Sequence, residues 1–175
     1  MFKKQWPVFL LAFVLPILLV YGWWGGFRVA SITQTEAGPY RYAYLDYTGP
    51  ISAMRKTQKT VLQAFVQSRI QEGDTLTVLL SDPRSQSGQV HAQVGYTLMP
   101  GAAVPKGLKA GVIARRPVLA VSVRAAILLA PSKAYQALYE YLQSQAHDIK
   151  MPTVEIYRPA ETVSEVGVFT LEMNR

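Results

Sequence analysis

The sequence predicts an α+β fold: two β-α-β-β units with pseudo-twofold symmetry, one antiparallel sheet with two helices on one face, and a single transmembrane helix in front. Three observations predict it. Residues 5–24 contain no charged side chain. Strand-like alternation and helical periodicity then follow each other in the same order twice. The two halves also align at a nearly constant offset of about 77 residues.

The first segment, QWPVFLLAFVLPILLVYGWW at 5–24, follows Lys3 and Lys4. Twenty helical residues extend over about 30 Å, the thickness of the hydrocarbon core of a bilayer. Aromatic rings at both ends are typical of headgroup contacts. The segment is longer than the apolar core of a signal peptide and ends at bulky Trp23 and Trp24, which favours a retained anchor. We therefore expect residues 5–24 to have the lipid bilayer as their partner.

The charges beside this segment predict its orientation. Lys3 and Lys4 place residues 1–4 in the cytoplasm by the positive-inside rule. The expected location is then the bacterial inner membrane, with a single pass and a periplasmic domain. Residues 25–38 are predicted to be a linker, and residues 39–175 have the size of one domain.

Composition excludes several classes of function. The 175 residues include no cysteine, which excludes disulfides and thiolate chemistry. The net charge is +7, but the basic residues are dispersed and form no stripe interleaved with aromatics, so nucleic-acid binding is not expected. His91 and His147 lie apart without acids at ligand spacing. The sequence therefore predicts no metal site and no cofactor.

The first unit, 39–98, begins with the alternating, tyrosine-rich strand 39–47. Apolar residues at helical spacing then predict an amphipathic helix from Ser52 to about residue 71. Two further strands are predicted at 75–81 and 89–98, joined by a turn.

The second unit, 109–173, follows a connector at 99–108 that is rich in proline and glycine. Its predicted elements, in chain order, are a β-branched strand stretch at 109–126 that Pro117 interrupts at a bulge or strand start, a helix at 131–145, and strands at 153–157 and 165–173. With one residue less of offset, VLLSDP at 78–83 aligns with VEIYRP at 154–159. We interpret the two units as a duplication, with a cleft where they meet.

Three short motifs carry a resemblance to a known family. They are LDYTGP at 45–50 after the first strand, ALYEYL at 137–142 in the second helix, and PTVEIY at 152–157 on the strand after it. In this order and spacing they resemble the GyrI-like superfamily, which is also found as the effector-binding domain of AraC- and MerR-type regulators. The resemblance covers roughly residues 39–173.

The resemblance implies a binding cleft. Members of the family bind small, often cationic or aromatic molecules between the repeats, where aromatic rings and a buried acid line the cleft. Some hydrolyse electrophilic cyclopropane-type compounds with such an acid. Carried over by motif, the acid is Glu155 and its aromatic companion is Tyr157. The chain departs from the family at Leu79 and Leu80, where relatives often have aromatics.

The residues themselves leave the orientation of these side chains open. Glu155 lies in an otherwise apolar strand and points either into the cleft or, by strand alternation, to solvent. In the cleft, the carboxylate would attract a cation and nearby rings would add cation–π contacts. Tyr42, Tyr44, Tyr96 and Tyr157 are the candidate wall residues; the alternative is ordinary sheet packing.

Three functions follow from this interpretation. The first is a membrane-tethered, non-catalytic protein that binds a small molecule through Glu155 and the four tyrosines. The second is a hydrolase of electrophilic xenobiotics, with Glu155 as the catalytic residue. The third is a scaffold with a vestigial cleft and an envelope protein as partner, which Leu79 and Leu80 favour. Glu172, near the chain end, is a second candidate acid.

Overall fold

The structure is a computed structural model that describes residues 6–84, 88–162 and 165–175, with side chains from residue 10 onward. In these ranges the chain forms three α-helices and eight strands. The helices are α1 (Trp6–Trp23), α2 (Met54–Ser68) and α3 (Ala130–Ser144). The strands are β1 (Ser31–Ala37), β2 (Tyr40–Gly49), β3 (Glu72–Leu79), β4 (Val90–Leu98), β5 (Lys109–Ile113), β6 (Arg116–Arg124), β7 (Thr153–Arg158) and β8 (Val168–Asn174).

All eight strands belong to one antiparallel sheet with the order β1-β6-β8-β7-β3-β4-β2-β5. This order is symmetric about its centre, which lies between β7 and β3. Each strand on one side has its counterpart at the same distance on the other side: β7 with β3, β8 with β4, β6 with β2, and β1 with β5. At the centre, Val78 of β3 lies opposite Val154 of β7. These are the two residues that the sequence alignment superposed, so the pseudo-twofold axis passes between them.

Each unit has one more strand than its predicted β-α-β-β order. The predicted linker, 25–38, contains β1, and the predicted strand 109–126 is divided into β5 and β6. β1 pairs with β6 of the second unit, whereas β5 pairs with β2 of the first. Each unit therefore gives its first strand to the other. Sequence patterning missed β1 because it is an edge strand, and most of its side chains are exposed.

Both helices of the repeat pack on the same face of the sheet, here called the helix face. Val61 and Phe65 of α2 pack with Ala43 of β2 and Leu98 of β4. α3 packs over β6 and β8, and this core comprises residues such as Leu138, Leu142, Val121, Phe169 and Leu171. The central strands β3 and β7 therefore lie between the two helices.

The sheet curls strongly toward the face opposite the helices. Tyr40 of β2 donates a 2.7 Å hydrogen bond to Glu172 of β8, although β7, β3 and β4 lie between these strands in the sheet. Arg116 makes a 2.9 Å ion pair with the same carboxylate. Right-handed twist accumulated over eight strands accounts for this curl.

The prediction of a transmembrane segment at 5–24 is wrong. Among the residues that the structure describes, no helix is long and apolar enough to cross a membrane. The predicted single-pass location in the inner membrane is wrong for the same reason.

The C-terminal end of α1 contacts the α+β part of the chain. The carbonyl of Trp24 accepts a 2.8 Å hydrogen bond from the backbone N–H of Ala126. The ammonium of Lys133 on α3 donates a 2.6 Å hydrogen bond to the carbonyl of Gly26. Gly25 has φ of 80°, and a Cβ there would lie 2.5 Å from the carbonyl oxygen of Arg124. Glycine at this position therefore permits the close approach.

Candidate functional site

The strip of the helix face over β3 and β7 is here called the central groove. Its floor consists of Thr75 and Thr77 from β3 and Glu155 and Tyr157 from β7. Thr77 lies directly opposite Glu155, and Thr75 directly opposite Tyr157. These side chains share a face because alternate residues of a strand point the same way. Thr77 is buried and Thr75, Glu155 and Tyr157 are only partly exposed, so this floor is largely screened from solvent but still reachable from it.

Glu155 lies among neutral neighbours. On one side it faces Thr77, which is 4% exposed, and on the other the buried Leu171 of β8. Burial raises the pKa of Glu155 to about 7, and a hydrogen bond from Tyr135 opposes part of this shift. None of the ion pairs between described residues includes Glu155. The groove thus holds a carboxyl group that changes its charge near neutral pH.

Tyr135 of α3 lies beside this carboxyl group, and Tyr139 packs next to Tyr135 one helical turn further on. The hydroxyl of Tyr135 lies 3.1 Å from the hydroxyl of Thr153, and burial raises the pKa of Tyr135. The ring centroids of Tyr135 and Tyr139 lie 5.9 Å apart, at an interplanar angle of 31°. The guanidinium of Arg84 lies 3.2 Å above the ring of Tyr139. One ring of this pair, that of Tyr139, is therefore already covered by a cationic side chain.

Tyr96 of β4 extends the floor toward α2. It lies opposite Thr75, so it belongs to the same cross-strand row as Tyr157. Its ring meets that of Phe65 edge-on, with centroids 5.8 Å apart. Burial raises the pKa of Tyr96, and hydrogen bonds involving Thr75 and Gln58 oppose the shift.

Three of the five predicted site residues therefore share the helix face, and two do not. Tyr42 and Tyr44 pack on the opposite face, where their ring centroids lie 5.2 Å apart. The hydroxyl of Tyr42 donates a 2.5 Å hydrogen bond to Gln93, and burial raises its pKa to about 12. The structure does not bring these two rings together with Glu155, because the sheet separates them.

The second candidate acid, Glu172, also lies on the opposite face. It is 3% exposed, and both of its oxygens accept hydrogen bonds, one from Tyr40 and one from Arg116. Its charge is therefore compensated within the protein.

The sequence analysis missed Tyr135 and Thr77 as groove residues. The spacing of Tyr135 and Tyr139 by four residues on one helix face was the available signal, but the same spacing is typical of core packing. Thr77 carried no signal of its own, because its position opposite Glu155 follows from strand register. In the described parts of the chain, no group of three or more metal-ligating side chains is present.

Comparison with known proteins identifies solved structures with the same fold as this chain. No family model and no curated protein matches the sequence. Solved structures do match. The C-terminal domain of EcmrR is 11% identical, with a TM-score of 0.61, over 83% of this chain and 96% of that one. SAV2435 bound to tetraphenylphosphonium is 15% identical, with a TM-score of 0.59, over 82% and 92%.

A longer EcmrR structure, in complex with DNA, matches 98% of this chain and 68% of that one, with 11% identity and a TM-score of 0.61. This chain has the fold of the EcmrR C-terminal domain and of SAV2435. At these identities the likeness shows the fold alone. It supports the predicted resemblance at that level and gives no support to a membrane anchor.

Proposed function

We propose that this chain is a small-molecule-binding domain whose ligand is an organic cation with aromatic groups. The ligand lies in the central groove, where Glu155 provides the countercharge and the partly exposed Tyr157 and Tyr96 provide ring surfaces. One observation carries the proposal: a carboxyl group with a pKa of about 7 lies in the middle of the helix face without a cationic partner among the described residues.

The free energy of binding at this position is more favourable for a cation than for a neutral ligand. A desolvated carboxylate without a partner is costly, so Glu155 in the free protein retains its proton up to about pH 7. A bound cation stabilises the ionised form and recovers part of that cost. Rings at the groove add cation–π contacts of about 0.5–2 kcal/mol each. The tetraphenylphosphonium bound by SAV2435, which has the same fold, belongs to this chemical class.

The test is calorimetric titration of the full chain with tetraphenylphosphonium at pH 8. Triphenylphosphine oxide, which is similar in shape but neutral, serves as the control ligand. We expect Glu155→Gln to weaken binding of the cation at least tenfold and to leave binding of the neutral compound unchanged. Glu140→Gln removes the same charge from an exposed position on α3 and should change neither. Equal losses for both ligands, or none, would contradict the proposal.

A hydrolase is the second candidate, and the same pKa favours it. A carboxyl group that titrates near neutral pH is suited to general acid–base catalysis. Turnover of an electrophilic cyclopropane-type substrate by the wild-type chain, abolished in Glu155→Gln, would select the enzyme. Cation binding without turnover would select the non-catalytic protein.

A further inference from the structure

The helix α1 is exposed along most of its length. Between Leu10 and Val20 every large side chain is 40–74% exposed, so the described residues leave this part of α1 largely uncovered. None of these side chains is charged. An apolar helix surface of this extent is unusual on an isolated chain and is typical of an interaction site.

One series of exposed side chains on α1 has the spacing of a coiled-coil contact. Its members recur at alternating intervals of three and four residues, and they are here called the α1 seam: Leu10, Phe13, Ile17, Val20 and Trp24. All five side chains are 43–74% exposed. This spacing keeps the series on one side of a helix, where a second helix with the same series can interdigitate with it.

The α1 seam contains a hole of the size and shape that a side chain from a second helix fills. A cavity of about 350 Å³ lies on the helix and is lined by Pro16, Ile17, Val20, Tyr21 and Trp24. The last four are spaced as i, i+3, i+4 and i+7, like the four residues that surround one inserted side chain in a coiled coil. The ring of Tyr21 packs edge-on against Phe27, with centroids 5.2 Å apart. One wall of the hole is therefore held in place by the chain itself.

The other two heptad series on α1 are less suited to a helix contact. The series that begins at Leu11 ends at Tyr21, whose ring already contacts Phe27. The third series contains Ala12 and Gly22, which have little or no side chain to interdigitate. The α1 seam is therefore the face that fits a second helix best.

The attachment of α1 to the rest of the chain favours an antiparallel pair. The backbone N–H of Ala126 donates a hydrogen bond to the carbonyl of Trp24, which fixes the C-terminal end of α1 against the α+β part. In a parallel pair, two α+β parts would compete for space at the same end, whereas in an antiparallel pair they lie at opposite ends. With full overlap, Leu10 of one copy lies beside Val20 of the other and enters its hole.

We propose that the α1 seam pairs in antiparallel orientation with the α1 seam of a second copy of this chain. The pair would remove on the order of 600 Å² of surface per chain from water, close to the roughly 800 Å² per partner of a stable interface. No seam residue is charged, so the contact buries no unpaired charge. It uses no residue of the central groove and holds or fails independently of the role proposed for Glu155.

Introduced cysteines report this pairing directly, because the chain has none of its own. The full chain with both Leu10→Cys and Val20→Cys is oxidised and analysed on a non-reducing gel. The two positions are about 15 Å apart within one helix, too far for a disulfide, so a covalent link requires a second copy. We expect a covalent dimer from this double variant and about fivefold less from Leu10→Cys alone, since that position does not face itself in an antiparallel pair.

The matched control combines Leu11→Cys with Leu19→Cys. These positions lie at the same level of the antiparallel pair and are 64% and 65% exposed, more than Leu10 and Val20, but they are outside the α1 seam. We expect about fivefold less covalent dimer from the control pair. Equal cross-linking of the two pairs would indicate non-specific contact and overturn the proposal. A dimer from Leu10→Cys alone that equals the double variant would indicate a parallel pair and would also overturn it.

Analytical ultracentrifugation of cysteine-free variants is the second measurement. Ile17→Glu places a carboxylate in the middle of the α1 seam and should weaken the dimer by about a hundredfold. Leu11→Glu adds the same charge outside the seam and should leave the dimer within about threefold of the wild type. Both side chains are more than 60% exposed, so both variants should fold. A wild-type monomer that floats with phosphatidylcholine vesicles would assign α1 to lipid and overturn the proposal.

Discussion

Thr77 of β3 and Glu155 of β7 lie directly opposite each other, one residue from the pseudo-twofold axis that relates the two units. The symmetric pair on the other side of that axis is Leu79 and Thr153. The first unit thus has a leucine where the second has the acid. The pseudo-symmetric sheet is therefore asymmetric at its centre, where it provides one carboxyl group rather than two.

The affinity of the central groove for an organic cation should depend on pH. Only ionised Glu155 attracts the cation, and its pKa in the free protein is about 7. Raising the pH from 6 to 8 should therefore strengthen tetraphenylphosphonium binding roughly tenfold, with little further change above pH 8. Calorimetric titration across this range measures the effect. Glu155→Gln should remove the dependence, and a wild-type affinity that stays constant with pH would contradict the assignment.

Glu155→Gln should also change stability, with a sign that depends on pH. The pKa of Glu155 is raised from 4.5 to about 7, so the folded chain binds more protons than the unfolded chain between these values. The free energy of unfolding of the wild type should then fall as the pH rises from 4.5 to 7. After allowing for partial exposure, the loss is on the order of 2 kcal/mol.

Urea unfolding at pH 4.5 and pH 8 tests this difference. Glu155→Gln should be about as stable as the wild type at pH 4.5 and more stable at pH 8. Glu140→Gln, on the exposed face of α3, should show no such change. A variant that is destabilised equally at both pH values would indicate that Glu155 is held in its ionised form.

Two adjacent arginines should differ sharply in their contribution to stability. Arg116 pairs with Glu172 at 2.9 Å, and their side chains are only 16% and 4% exposed. Arg116→Met leaves that carboxylate buried without its cation and should cost about 3–5 kcal/mol. Arg115 pairs with Glu36, with 69% and 58% exposure, so Arg115→Met should cost less than about 1 kcal/mol. Similar losses for both, measured by urea unfolding, would contradict the distinction.

Removing Arg84 should strengthen cation binding in the central groove. Its guanidinium covers the ring of Tyr139, which stacks near Tyr135 at the groove wall. Arg84→Met frees that ring face and removes a like charge, so the affinity for tetraphenylphosphonium should rise about threefold. Arg55→Met, which removes an exposed charge at the start of α2, is the control. Weaker binding in Arg84→Met would show that this side chain supports the ligand.

Much of the secondary structure could be predicted because the patterns are local. The helical spacing predicted 131–145, and α3 is Ala130–Ser144; it predicted Ser52 to about 71, and α2 is Met54–Ser68. β1 was missed because a polar edge strand has no buried side to produce alternation.

The candidate site could be predicted only in part, because the sequence does not determine how the strands pair. Alternation shows that Tyr42 and Tyr44 share a face, and that Glu155 and Tyr157 share a face. It does not show whether the two faces are the same, because that depends on how the intervening strands pair. The choice of Glu155 came from a motif, whereas its neighbours Thr77 and Tyr135 depend on the tertiary structure.

The exchange of first strands between the two units has a consequence for the origin of the chain. Because β1 completes the second unit's part of the sheet and β5 completes the first unit's, neither half is self-sufficient. A single ancestral copy would have needed an identical partner to supply the edge strand of its sheet. Gene fusion would then have joined an obligate homodimer in one polypeptide, and the two copies would have been free to diverge.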